Sequence, residues 1–307
     1  MYKNFFCLLI FLFISTEVYS QEGEIISYYP DGKIKQIENY RNNKFDGVSK
    51  YYFESGILKQ VISYSEGKKS GKSFFYYDTG ILKEMLNYND DKFNGDFSSY
   101  YPNGVVRESG KYSSGIPDGE FRAYYETGQL KSYYTLINGA KNGIIYDYYP
   151  NGTIKAEANF VNDIQEGLTK FYYEDGSLKG NYFYSSNQLH GDVKEYFKDG
   201  GLMTEKYYEY GRLEGIEKTY YKNGGIKTES NYDYGFREGI TKSFYENEKL
   251  WSEQNYKKDK LIGETKIYRK DGSLWYIETY DNGELISSKE FSEEGKLVAE
   301  QTFEKKN

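Results

Sequence analysis

Polar and apolar positions along this chain recur with a period of 24 residues, and within each period the apolar ones fall at even spacing. The reference is a recurring glycine: Gly32, Gly56, Gly80, Gly104, Gly128, Gly152, Gly176, Gly200, Gly224 and Gly272. Four positions before it stands an aromatic residue, from Tyr28, Tyr52 and Tyr76 through Tyr148 to Phe244 and Tyr268. Two positions after it comes an aliphatic residue (Ile34, Leu58, Leu82, Val106, Ile154, Leu274), and eight positions after it another aromatic (Tyr40, Tyr64, Tyr88, Tyr112, Phe160, Tyr280), with Leu136 the exception. Even offsets are the period of a strand, whose side chains alternate between two faces. The segments between them, such as Pro102-Asn103-Gly104 and Glu174-Asp175-Gly176, predict a hairpin closed by a type I turn and a left-handed glycine. Closing Phe53 on Ile57 places Tyr52 opposite Leu58, a cross-strand pair worth roughly 0.2–1 kcal/mol. Continued parity puts Tyr64 on the same side, so a continuous Tyr–Leu–Tyr ladder is expected along one face.

A second glycine register, Gly23, Gly47, Gly71, Gly95, Gly119, Gly143, Gly167, Gly191, Gly215, Gly239 and Gly263, runs without a miss. It predicts the other hairpin of each unit, through loops such as Asn89 to Gly95, with a positive φ that a β-carbon would oppose. Each unit then reads as two strands of about six residues, about twenty-two strands over about 11–12 units. Such an array is held together by contacts between neighbouring units. The fold class expected is all-β: an elongated, twisted antiparallel sheet of tandem β-hairpins, since open sheets rarely exceed about ten strands without curling.

The first twenty residues stand outside the period. Lys3 is followed by the apolar run Phe5 to Ile14 and a more polar stretch ending Val18-Tyr19-Ser20. That pattern predicts a signal peptide over 1–20, with Gln21 as the mature terminus; the run falls short of the about 20 residues that span a bilayer. Residues 21–307 are then a single array in a protein that is exported: periplasmic, cell-surface or extracellular. The one cysteine, Cys7, lies inside the leader, so disulfides, thiol catalysis and cysteine metal sites have no place in the mature chain. Mean hydropathy is low, at −0.84, yet 19% of residues are aromatic, 38 of them tyrosine, which excludes the composition of a disordered chain. The net charge of −7 opposes nucleic-acid binding through phosphate neutralisation.

The unit G-x-x-x-x-Y-Y-x-x-G-x-[IL]-K-x-x-x-x-Y, with loops such as Ile137-Asn138-Gly139-Ala140-Lys141-Asn142-Gly143, resembles the bacterial variant of the MORN repeat, from residue 23 to about 300. The resemblance implies tandem β-hairpins in an elongated sheet. It brings no catalytic motif. Proteins with these repeats include antitoxin components of the YwqK type, and related repeats are associated with scaffolding and membrane contact.

Candidate chemistry is sparse. His190 is the lone histidine and occupies a loop position filled elsewhere by Asp46, Asn94, Asp118, Asn142 or Glu214, so it reads as loop filler. A zinc site or a histidine-activated nucleophile lacks its residues. Glu166, Glu214 and Glu238 recur at that same loop position, which reads as solvation and not as the paired carboxylates of a glycosidase. Asp31 and Asp90-Asp91 have no calcium-loop motif around them, and no G-x-G-x-x-G is present. No cofactor or metal is expected. Three positions after the first-register glycine, however, a basic stripe recurs: Lys35, Lys59, Lys83, Arg107, Lys131, Lys155, Lys179 and Lys227. Odd parity assigns it to the face opposite the ladder, as a solvated row or as a site for an acidic partner; the acidic total favours the former. In that stripe Trp251 and Trp275 replace lysine, and Glu248 breaks the glycine rule beside them. This predicts atypical capping units from about 248, with an aromatic binding patch as the other reading. The residues together point to a non-enzymatic repeat protein offering a binding or scaffold surface. A protein partner comes first, an envelope glycan or acidic lipid next, and nucleic acid is excluded. The alternative is the antitoxin or immunity role that the resemblance implies.

Overall fold

In the computed structural model residues 20–304 are described; the leader read over 1–20, Cys7 included, lies outside them except for Ser20. The described residues form 32 strands and no helix, and their pairings are antiparallel hairpins in tandem, as in the pairing of Gly47–Tyr52 with Leu58–Ser65. One unit shows how the sequence does this. Gly47–Tyr52 pairs with Leu58–Ser65, and a two-residue strand, Lys68–Lys69, returns along the end of the latter.

The tight hairpin is the one the pattern predicts. The Phe53 amide donates to the Ile57 carbonyl at 2.8 Å, the Gly56 amide donates to the Phe53 carbonyl at 2.8 Å, and Gly56 has φ +89°. Tyr52 faces Leu58 directly, and Tyr148 faces Ile154 in the same way. Glu248, the residue that breaks the register, adopts the same left-handed conformation at φ 64°.

The second hairpin differs from expectation. Asn89 to Gly95 is not one loop: Asp90 and Asp91, at φ 49° and 65°, form a two-residue turn between the partners Asn89 and Lys92. Two successive positive φ values match the twist of the flanking strands. The second-register glycine comes later, where the returning strand breaks. At Gly71, φ is +91°, and the preceding Ser70 amide reaches across to the Ser63 carbonyl at 2.9 Å. At Gly95 a β-carbon would lie 2.6 Å from the Asn87 side-chain amide. This break splits off eight two-residue pieces such as Lys68–Lys69, which together with the 24 strands of twelve tight hairpins make 32 where about twenty-two are expected.

A second departure overturns the single-faced ladder. Every tight hairpin between Gly23–Tyr28 and Leu297–Thr302 for which register is resolved carries a bulge beside the turn: Tyr52 pairs with Leu58, but Tyr51 pairs with Gln60. Lys59 is the extra residue, and it inverts parity. Tyr52 and Leu58 therefore share one face with Val61, while Ser49, Tyr51, Gln60, Ile62 and Tyr64 share the other. Hydrogen bonds agree. The Tyr51 hydroxyl donates to Glu38, the counterpart of Ile62, whereas Tyr172, the counterpart of Tyr52, donates to Glu157, the counterpart of Val61.

All the buried side chains fall on the Ser49–Ile62 face, hereafter the packed face: Ile62, Leu86, Tyr88, Phe121, Ala156, Val193 and Tyr256, with small polar residues such as Ser49, Ser73, Ser99, Thr169 and Thr265. Small residues are buried there because rings lie over them. The chain divides into two compact units, residues 1–95 and 96–307, although the 24-residue period continues through the division. In the first, Phe45 is stacked between Tyr40 and Tyr64 at 4.7 and 4.8 Å. In the second, Phe121 covers Gly110 so closely that a β-carbon there would lie 2.3 Å from its ring. The other side of Phe121 stacks on Tyr134 at 5.6 Å.

Candidate functional site

The tight hairpin loops carry the most regular side-chain geometry in the molecule. Three residues before the glycine stands an aromatic residue whose role the sequence pattern does not disclose. Its hydroxyl reaches the next repeat: Tyr29 donates to the Tyr52 carbonyl at 2.7 Å, Tyr125 to that of Tyr148 at 2.7 Å, Tyr149 to that of Tyr172 at 2.9 Å, and Tyr173 to that of Tyr196 at 2.8 Å. Tyr221 and Tyr245 repeat the contact with Phe244 and Tyr268. We call this the clasp. It joins repeats through the backbone, so it tolerates any residue on the accepting side.

The basic stripe rests on these rings. The Nζ atoms of Lys59, Lys83, Lys131, Lys155, Lys179 and Lys227 lie 5.7–5.9 Å from the centroids of Phe53, Tyr77, Tyr125, Tyr149, Tyr173 and Tyr221. Each is a cation–π contact at the edge of the sheet, and every one of these lysines is exposed. Ion pairs among the described residues are made by other lysines, such as Lys170 with Glu157 and Lys206 with Glu195, and by none of these six. Arg107 instead donates from Nε to the buried Ser99 Oγ at 3.3 Å, and Lys35 is exposed. The Arg107 contact corrects the parity reading. The bulge turns the stripe toward the packed face, the same side as Tyr64.

At the C-terminal end the stripe keeps its geometry and changes its chemistry. Trp251 packs against the clasp ring of Tyr245 at 6.2 Å. Trp275 has Arg269, which holds the clasp position, 5.2 Å from its ring. The guanidinium donates to the Leu274 carbonyl at 3.1 Å and to the Phe291 carbonyl at 2.6 Å. Cation and ring have exchanged places, and the clasp persists. Trp275 Nε1 also donates to Glu290 at 3.3 Å. Both tryptophans remain exposed, at 48% and 38%.

The opposite edge explains His190 and the periodic carboxylates. Glu166, Glu214 and Glu238 each accept the backbone N–H that opens the two-residue turn of the following repeat: Ser186 at 2.8 Å, Tyr234 at 2.8 Å and Lys258 at 2.9 Å. His190 does the same for Tyr210 through Nδ1 at 3.4 Å, with its ring 4.8 Å from the Tyr210 ring. These are turn caps that tie repeat to repeat. The signal in the sequence was their fixed position in the unit.

Several tyrosine hydroxyls on either face meet carboxylates. Burial is the main reason that the Tyr220 phenol is pushed up to about 12, and its hydrogen bond to Glu205 at 2.6 Å adds to it. Burial likewise raises Tyr134 and Tyr182, with help from Glu108 and Glu195. Asp175 moves the other way, to about 2, because it accepts hydrogen bonds from the Ser177 hydroxyl and amide and faces Lys198. These pairs are spread along the units and do not converge on one point.

An open groove of about 570 Å³ crosses the packed face, lined by Tyr134, Ile145, Ala156, Ala158, Phe160 and Phe171 among others. Leu136 lines it where the other units carry an aromatic ring. Among the described residues no three His, Cys, Asp or Glu side chains come close enough to hold a metal ion.

Among solved structures, the chain is similar to one titled as the crystal structure of TcdB2-TccC3-Cdc42, at 13% identity and a TM-score of 0.20, covering 90% of this chain and 16% of that one. It is similar also to the Photorhabdus luminescens Tc holotoxin pore carrying the mutation TccC3-D651A, at 12% identity and a TM-score of 0.20, with 91% and 16% covered. The chain thus spans about a sixth of the length of these structures. No curated protein matches it. The family model for the MORN repeat variant matches eleven times in tandem, at residues 21–42, 45–66, 69–90, 93–113, 117–138, 141–162, 165–186, 189–210, 213–234, 237–258 and 261–282. The 24-residue unit whose bulge, clasp and turn cap recur along this chain is that repeat, and the protein belongs to the MORN repeat variant family.

Proposed function

We propose that this protein is exported and acts without catalysis, as a repeat scaffold that presents a binding surface to a macromolecular partner. The observation that carries the reading is the division of labour among its polar side chains. The groups best suited to chemistry, His190, Glu166, Glu214 and Glu238, are engaged in capping the next turn, and the clasp hydroxyls are engaged with backbone. The side chains ordered in position yet free of any such duty are the exposed ones of the stripe. A regular exposed row on a sheet is what a binding surface requires, and an array supplies it by repetition. The apolar run Phe5 to Ile14 and the Val18-Tyr19-Ser20 pattern support the export half of this reading.

The test is fractionation of cells expressing the full-length chain, with N-terminal sequencing of the recovered protein and pull-down from envelope fractions. A terminus at Gln21 outside the cytoplasm, with a partner retained, is the expected result. An intact Met1 in the cytosol would overturn the export half of the proposal. Catalytic turnover lost on His190→Ala or Glu214→Gln would overturn the other half.

A further inference from the structure

Resting on that reading, we infer that the partner of the stripe is a linear acidic polysaccharide, lying across the strands with one anionic group for every two sugar rings. The inference is drawn from the row in residues 96–307: Arg107, Lys131, Lys155, Lys179, Lys227, Trp251 and Trp275.

Spacing comes first. Successive members stand one repeat apart, which is two strands, except where Met203 takes the position between Lys179 and Lys227; at about 4.8 Å per strand the interval of one repeat is about 10 Å. Two pyranose rings of an extended chain span a similar length. A polymer with an acid on alternate rings would therefore present one carboxylate or sulfate to each lysine in turn. Phosphates on a nucleic-acid strand recur about every 3.4 Å along a duplex axis, far more densely than the row.

Availability comes second. Lys131, Lys155 and Lys179 are exposed, are held over Tyr125, Tyr149 and Tyr173, and make no ion pair among the described residues, in a chain with 47 acidic and 40 basic residues. A lysine held over a ring loses less rotamer freedom when an anion arrives than a freely moving one does. The row is also one residue wide. The loops flanking it carry Glu126, Glu174 and Glu246, all exposed, which suits a thread and repels a flat anionic bilayer.

The third observation is independent of charge. At the end of the row the same position offers two exposed indoles, Trp251 and Trp275, one repeat apart. Flat aromatic rings pack against the C–H faces of sugars, and tryptophan concentrates binding energy where it is available to a partner. From Lys227 through Trp251 to Trp275 the row changes from cation to indole at the interval of one repeat, which fits a ligand that is both anionic and ring-built.

The experiment is calorimetric titration of the full chain with hyaluronan oligosaccharides, whose acid falls on alternate rings. A neutral glucan oligosaccharide, a thymidine oligonucleotide and phosphatidylglycerol vesicles serve as comparisons. Hyaluronan should bind, more weakly as salt rises, and the other three should bind at least about tenfold less tightly. Combined Lys131→Gln, Lys155→Gln and Lys179→Gln should lower affinity about tenfold and flatten the salt dependence. Trp251→Ala with Trp275→Ala should lower affinity about tenfold and leave the salt dependence alone. Trp251→Phe with Trp275→Phe keeps a ring at each position and should retain most binding if the alanine pair proves unstable. Equal binding of the glucan, tighter binding of oligonucleotide or vesicles, or indifference to both sets of changes would overturn the inference. A protein captured through the row from envelope fractions, with no polysaccharide bound, would sink the glycan and leave the broader proposal standing.

Discussion

The unit centred on Lys155 and the unit centred on Trp275 occupy the same place in the repeat and solve it with opposite chemistry. In the first, a lysine lies over the ring of Tyr149, and that tyrosine's hydroxyl clasps the next repeat at 2.9 Å. In the second, an indole lies over the guanidinium of Arg269, and the guanidinium does the clasping, at 2.6 Å. What persists is a geometry: a flat group, a cation 5–6 Å from it, and a donor aimed at the carbonyl 22 or 23 residues on. What changes is which residue supplies each part. The repeat specifies a backbone acceptor and a stacked pair, and side chains are free to exchange roles within that frame.

The largest expected effect tests the less common solution. Arg269→Ala removes a charged donor shared by the Leu274 and Phe291 carbonyls and strips the support from Trp275. Hydrogen bonds to charged groups contribute about 1.5–3 kcal/mol, so urea unfolding should show a loss of that size. Hydrogen exchange should quicken first between about 263 and 302, because repeats couple to their neighbours. A loss confined to a few tenths would show that the guanidinium only fills space.

The common solution should be weaker. Tyr149→Phe keeps the ring under Lys155 and deletes only the hydroxyl, at an expected cost of about 0.5–1.5 kcal/mol. The chain contains the reverse experiment, since Phe53 and Phe197 occupy clasp positions without a hydroxyl. Phe197→Tyr should therefore gain about 0.5–1 kcal/mol by reaching the carbonyl of Tyr220. If neither change moves the thermal midpoint, the clasp is a consequence of packing and not a cause of repeat coupling.

The sequence discloses the turn of the tight hairpin and its first cross-strand pair, because a left-handed glycine at a fixed place leaves one register for Tyr52 and Leu58. It does not disclose the bulge at Lys59, because an extra residue in a strand is a backbone event that no side chain marks. Assigning faces by parity alone thus fails at one point per unit, and every residue beyond that point changes sides. The two-residue turn was legible where Asn138-Gly139 and Asn282-Gly283 spell it, and obscured where Asp90-Asp91 or Lys258-Asp259 adopt it at φ 48–65°. The clasp had a trace as well: an aromatic three residues before the glycine and a lysine three after. Each looked ordinary alone, and only the bulge brings the two together.

The glycine register differs between the Lys155 unit and the Trp251 unit, and there the effect should be smaller. Glu248 holds a left-handed conformation at φ 64° that glycine holds at Gly152, φ 87°. A β-carbon in that region is opposed by the following carbonyl. Glu248→Gly should therefore stabilise the chain by about 0.5–1 kcal/mol, as relief of strain offsets the added freedom of the unfolded chain. Gly152→Glu should do the reverse. The pair of thermal midpoints decides whether the C-terminal units carry a strain that the regular ones lack; equal and opposite shifts sharpen the contrast, and no shift in either removes it.

The smallest effects belong to the phenols, and they distinguish burial from charge as the source of the tyrosines' weak acidity. Tyr220 and Tyr232 in regular units, and Tyr280 in the C-terminal one, are each pushed up to about 12, with burial the largest cause in all three and a neighbouring Glu205, Glu217 or Glu278 adding to it. A phenol whose value is higher folded than unfolded favours the folded state most while both states are protonated. Its contribution is therefore complete below the ordinary value of about 10 and disappears as pH rises from there to about 12. Stability should be flat in this respect up to pH 10 and decline above it, with tyrosinate absorbance rising over the same window. Glu205→Gln removes the carboxylate 2.6 Å from the Tyr220 hydroxyl while leaving the ring where it is. If burial dominates, the Tyr220 titration in that variant should move only part of the way back toward 10, as followed by ring resonances in NMR. A full return would mean that charge, and not the packing of rings against the sheet, holds these phenols neutral.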